Sequence, residues 1–183
     1  MKTVYILGAG FSVEAGAPTQ LNILREAFRL HEIDRNYFDE RRFSLFTRFL
    51  KDQLNFSENT FLEVELEDIF TPLDRCLTDS SQFRGISLSQ IMAVRESVFY
   101  VIGRTIQLVL DQTEKSKDYI NKFANLLVKT SSQRTNYNYS NLDPVSVIST
   151  NWDILLDNSI QNEIEVGNYN AVVDYCCYIS SRD

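Results

Sequence analysis

The sequence has little that would staple, span or interrupt a fold. It holds 3 cysteines, 3 prolines, 6 glycines, 1 histidine and 1 tryptophan in 183 residues. Cys76, Cys176 and Cys177 form neither an even disulfide set nor a metal pattern, since neighbours on a strand point to opposite faces. Scarce Gly and Pro exclude a collagenous chain, and 44% hydrophobic residues exclude a disordered one. Long apolar runs are missing too. The longest, Val98–Leu110, is broken by Arg104 and Gln107 and is too short for a bilayer. Met1–Leu7 enters a glycine turn without the apolar core of a signal peptide, so a cytoplasmic protein without membrane contact is expected. Positive charge is also short: 18 Lys+Arg against 25 Asp+Glu leave a net charge of −7, which disfavours direct nucleic-acid binding.

What is present reads as one domain of globular composition, long enough to bury roughly 70% of its unfolded surface. Lys2–Leu7 is a short apolar β-rich run stopped by Gly8-Ala9-Gly10, the pattern of a buried parallel strand entering a turn. Helical spacing follows. The first helix is expected from about Ser12 or Thr19, with Leu21, Leu24, Phe28 and Leu30 on its apolar face. Phe43, Phe46, Leu50 and Leu54 form a second stripe, and Leu66, Ile69, Phe70 and Leu73 a third. Thr71-Pro72 predicts a break there, with Pro72 opening a new helix. Ser87-Leu88-Ser89-Gln90 predicts a capping box opening a helix to about Leu110. Tyr119, Ile120, Phe123, Leu126 and Leu127 mark another helix, and Ser131–Asp143 reads as a polar loop. Val145–Ser149 then predicts a second strand, Trp152, Leu155, Leu156 and Ile160 a helix, and Ala171–Ile179 a third strand. The fold class is therefore α/β: an incomplete Rossmann-like parallel sheet from 1–20 and 144–183, with a large, mostly helical insertion over 21–143.

Two segments bear on chemistry. Gly8-Ala9-Gly10-Phe11-Ser12-Val13-Glu14-Ala15-Gly16-Ala17-Pro18 follows the first strand. Such glycines let a backbone turn tightly and approach a pyrophosphate, and Ser12 stands where a hydroxyl can donate to it. Position 13 is Val where a dehydrogenase fingerprint has Gly, and the third glycine comes late, at Gly16. An ordinary strand-to-helix turn is the plainer alternative. The second segment is Ser149-Thr150-Asn151-Trp152-Asp153, ending the second clear strand. Ligands of open α/β sheets bind beyond the carboxyl ends of strands, so Asn151 and Asp153 are candidates for ribose and carboxamide contacts. Taken alone, the segment is as well explained by Asn and Asp capping the next helix.

Together, a strand followed by GAGxSxxxGxP and, far downstream, a strand followed by [ST]xNxD resemble the sirtuin family. The chain is most similar to the bacterial sirtuin-like NAD hydrolases of antiphage defence, whose second motif is matched by Ser149–Asp157. That resemblance implies a Rossmann-like NAD-binding fold and hydrolysis of NAD, as substrate and without a metal, to nicotinamide and ADP-ribose. It places Gly8, Ala9, Gly10, Phe11, Ser12 and Thr19 at the pyrophosphate and adjoining ribose. Thr150 and the catalytic Asn151 would stand at the nicotinamide ribose, and Asp153 at the carboxamide. Biologically it implies NAD depletion and abortive infection, switched on by a sensor domain, a partner or assembly into homo-oligomers.

Departures narrow the reading. Thr19-Gln20-Leu21 stands where deacetylating sirtuins carry Asp-Phe-Arg, and their zinc-ribbon cysteines are absent, which disfavours deacylation. The family's catalytic histidine follows the asparagine motif, yet no histidine lies between Asn151 and Asp183. The chain is therefore expected to be the N-terminal part of such a domain, inactive alone, its sheet completed by further chain or a partner. The only histidine, His31, reads as a helix-end residue. A non-catalytic sensor of NAD or ADP-ribose is the alternative, and a pure interaction domain a third. Glu63, Glu65, Glu67 and Asp68 read as a solvated helix face rather than a metal site. Tyr137 and Tyr139 read as exposed loop tyrosines rather than base-stacking platforms.

Overall fold

A computed structural model describes residues 3–131 and 145–167. The expected loop at Ser131–Asp143, apart from its first residue, lies outside them, with Tyr137 and Tyr139. So do the expected strand Ala171–Ile179 and its two cysteines. The described chain is mixed α/β. Its elements run β1 (Thr3–Leu7), α1 (Gly10–Val13), α2 (Ile23–Ile33), α3 (Glu40–Arg48), α4 (Leu66–Thr78), α5 (Leu88–Gln112), α6 (Asp118–Ser131), β2 (Val145–Ser149) and α7 (Leu155–Gly167). The chain divides into two compact units, Met1–Gly8 with Ser116–Asp183, and Ala9–Lys115.

In the first unit β1 and β2 pair in parallel, Thr3 opposite Val145 through Leu7 opposite Ser149. Side chains alternate across the sheet. On one face Tyr5 meets Phe123 of α6 edge-on, ring centroids 5.0 Å apart. On the other, Val4, Ile6 and Ile148 are more than half exposed. Ile120, Ala124, Leu127 and Val128 give α6 its buried stripe, at the spacing expected from sequence, while Leu126 faces out. Helices α6 and α7 pack together and are linked by Asn125 Nδ2 donating to Glu163 Oε2 at 2.6 Å and Ser159 Oγ to Asn121 Oδ1 at 3.0 Å.

The second unit is helical and built around α5. Ile91, Val94, Val98, Val101, Ile102, Thr105 and Ile106 are buried along it, a stripe repeating every three to four residues. Helices α2, α3 and α4 pack on α5, contributing Leu24, Ala27 and Leu30, then Phe43 and Phe46, then Ile69 and Leu73. The core hydroxyl of Thr105 donates to Val101 O at 2.7 Å, so no donor is stranded there. The predicted capping box at Ser87 is present: Gln90 N donates to Ser87 Oγ at 3.4 Å, and Ser87 N to Gln90 Oε1 at 2.8 Å. Ser87→Ala is expected to cost about 1 kcal/mol, read as a lower urea midpoint at unchanged slope.

Four local expectations are corrected. Pro72 does not open a helix but lies inside α4, which runs unbroken from Leu66 to Thr78. Leu66, Ile69, Leu73 and Cys76 are buried on both sides of it. Their burial, at about 1.5–3 kcal/mol for a large side chain, outweighs the roughly 3 kcal/mol cost of an interior proline. Leu21 does not join the apolar face of the first long helix. It precedes α2 and is 77% exposed, because the chain between α1 and α2 is turn. Trp152 likewise sits before α7 rather than in it, half exposed. The stripe through Leu50 and Leu54 leaves regular geometry, since the chain after α3 widens into a π-helical turn at Phe49–Gln53.

Candidate functional site

Gly8 and the Ser149–Asp153 segment reach the same end of the sheet. Leu7 and Ser149 are the last register pair of two parallel strands, so the glycine turn and the Ser149–Asp153 segment leave adjacent carboxyl ends. The ladder continues one step further. Thr150 N donates to Leu7 O at 3.0 Å, and Thr150 Oγ1 donates to the same carbonyl at 3.3 Å. A Cβ placed on Gly8 would come 3.9 Å from Thr150 Oγ1. Gly8 and Thr150 are thus brought together by strand pairing.

Beyond Thr150 the backbone is held by its own side chains. Asn151 N donates to Ser149 Oγ at 3.2 Å, and Leu155 N to Asp153 Oδ1 at 3.1 Å. The second contact shows Asp153 bracing the entry to α7, the capping job open to it from sequence. Asn151 and Asp153 are half-buried, and Thr150 is exposed. Ser149 was missed as a site residue. Its signal was the hydroxyl two residues before the asparagine, the spacing of a side-chain-to-backbone turn.

In the second unit the glycine motif starts with α1, a single turn from Gly10 to Val13. Ser12 is buried, Phe11 and Thr19 are half-buried, and Ala9 and Gly10 are exposed. Ala9 O accepts from Ser12 N and Val13 N at 3.0 and 3.2 Å, and Thr19 O from Asn22 N at 2.9 Å. Neither Gly8 nor Gly10 has the left-handed backbone that requires glycine. A Cβ on Gly10 would meet nothing within 4 Å. The fold's own packing therefore does not explain a glycine at position 10, where alanine would favour α1 by up to about 1 kcal/mol. Gly16 differs. Its φ is +97°, and an added Cβ would lie 2.5 Å from Thr113 Oγ1. This late third glycine is a packing residue of the helical unit.

The remaining candidates have structural duties. Glu65 and Asp68 form a reciprocal capping box at the start of α4, and Glu67 accepts from Gln20 Nε2. Gln20, Asn22, Arg25, Glu63, Glu65 and Glu67 border a polar cleft of about 310 Å³. Among the described residues no three His, Cys, Asp or Glu side chains gather as for a metal ion. His31 stacks on Phe43, ring centroids 3.9 Å apart, in the last turn of α2. Among the described residues no helix is long and apolar enough to cross a membrane. In comparisons with known proteins, no family model, no curated protein and no solved structure matches the chain.

Proposed function

We propose that this chain is the NAD-binding part of a sirtuin-like NAD hydrolase, releasing nicotinamide and ADP-ribose. The observation that carries the reading is the meeting of Gly8 and Thr150 beyond the last register pair of β1 and β2. Gly8 and Thr150 each follow a strand carboxyl end, and open α/β sheets bind nucleotides beyond such ends. The open space at Gly10 supports it, since an exposed glycine without a Cβ lets a ligand approach the backbone.

In this reading Gly8, Ala9, Gly10, Phe11, Ser12 and Thr19 attend the pyrophosphate and its ribose. Asn151 attends the nicotinamide ribose, in a segment that also carries Thr150 and Asp153. Hydrolysis breaks the bond between the ribose C1′ and the nicotinamide nitrogen, and water supplies the new oxygen. Positive charge develops on the sugar, so a positioned amide oxygen and a base that takes the water's proton are the groups the reaction needs. Asn151 supplies the first. The cellular role that goes with this reading is NAD depletion in antiphage defence, under control of a partner or homo-oligomerisation.

The test is to incubate the full-length protein with NAD and follow nicotinamide and ADP-ribose by chromatography, beside calorimetry with both nucleotides. Turnover is the expected result. Binding without turnover would make the domain a sensor, and no binding of either nucleotide would overturn the reading.

A further inference from the structure

We infer that Ser149 and Thr150 are positioning residues, which fix the peptide carrying Asn151 and act through the backbone rather than by touching the nucleotide. The inference rests on the NAD reading and deepens it. A hydroxyl has one proton to donate. That of Thr150 goes to Leu7 O at 3.3 Å, beside the bond from Thr150 N to the same oxygen at 3.0 Å. A carbonyl has two lone pairs, so both bonds are satisfied together. They tie β2 to β1 one residue beyond the last register pair.

Ser149 Oγ then accepts from Asn151 N at 3.2 Å, and Asp153 Oδ1 accepts from Leu155 N at 3.1 Å. Asn151 is therefore flanked by backbone held on both sides. Orienting an amide for chemistry requires placement to within about 0.5 Å and 10–20°, which a free loop does not give. With its proton on Leu7, the Thr150 hydroxyl keeps only acceptor capacity toward a ligand. The tie is made entirely by groups of this chain, one residue before Asn151.

Hydrogen exchange on the nucleotide-free protein tests this directly. Thr150→Val keeps the branched shape and loses the hydroxyl, whereas Thr150→Ser keeps the hydroxyl. The valine variant is expected to speed exchange of the Thr150 and Asn151 amides about 3–10-fold, the range of one ordinary hydrogen bond. The serine variant should stay within about twofold of wild type. Ser149→Ala should speed Asn151 alone, and it provides the measurement should Thr150→Val fail to fold. On NAD, the valine variant should lose kcat with KM nearly unchanged. Unchanged exchange together with a raised KM would show the hydroxyl touching the nucleotide and overturn the inference. The exchange arm needs no nucleotide, so a wild-type protein that ignores NAD defeats the NAD reading while the tie is still decided.

Discussion

Replacing Asn151 by alanine is expected to slow nicotinamide release by the full-length protein about 10²–10³-fold, the usual cost of removing one positioned charge-stabilising group. The strand pairing should survive. Asn151 is half-buried beyond the end of β2, and the bond from its backbone N–H to Ser149 Oγ does not involve its side chain. Nor do the register pairs up to Leu7 and Ser149. The amide Oδ1 of Asn151 is buried, so the change is expected to cost about 1 kcal/mol of stability, the centre of the range for point substitutions. Loss of turnover by orders of magnitude in a protein that still folds cooperatively is the diagnostic pair. Turnover within about threefold of wild type would remove Asn151 from the chemistry.

The second large effect is on stability. Gly16→Ala places a Cβ 2.5 Å from Thr113 Oγ1, 2.9 Å from its Cβ and 3.0 Å from its Cγ2, at a φ of +97°. Left-handed backbone costs an L-residue about 1–2 kcal/mol, and overpacking typically about 1–3 kcal/mol. Together they predict a loss of about 2–5 kcal/mol in the helical unit, a large share of an ordinary domain's margin. Urea unfolding followed by helical circular dichroism reads it. Thr113→Gly in the same chain removes the colliding atoms but not the backbone cost, so it should recover only part of the loss. A Gly16→Ala protein within about 0.5 kcal/mol of wild type would refute the packing role.

Much of the fold was readable where one local signal dominates. The abrupt glycines after Leu7, the Ser87–Gln90 capping box and the short β-branched Val145–Ser149 run each mark an element boundary with short-range chemistry. Other positions depend on partners far along the chain. Pro72 breaks helices by propensity, and only the stripe from Leu66 to Cys76 buried on α5 and its neighbours overrides it. Leu21 has the residue type of a core position but precedes the first turn of α2. The need for glycine at position 16 is likewise hidden from the sequence, because only the fold sets Thr113 against it.

In the candidate site, the Gly8 turn stood out by residue type, whereas the choice of Asn151 rested on the family resemblance. The Leu7–Thr150 tie was not legible, because register between strands so far apart in sequence is a tertiary property. The capping use of Asp153 was foreseeable, yet sequence alone could not choose between it and a ligand contact.

The pairing of β1 with β2 also sets an order of events during synthesis. Leu7 emerges early and its partner Ser149 late, with the whole helical unit made between them. At about 5–20 residues per second, β1 waits roughly 7–28 s for its neighbour. Contacts of the helical unit fall between nearer segments, which favours their forming first. Until β2 arrives, Thr3–Leu7 is an unpaired apolar strand tethered to a domain that can already have folded. That interval leaves an apolar strand open to misassociation and to chaperone capture.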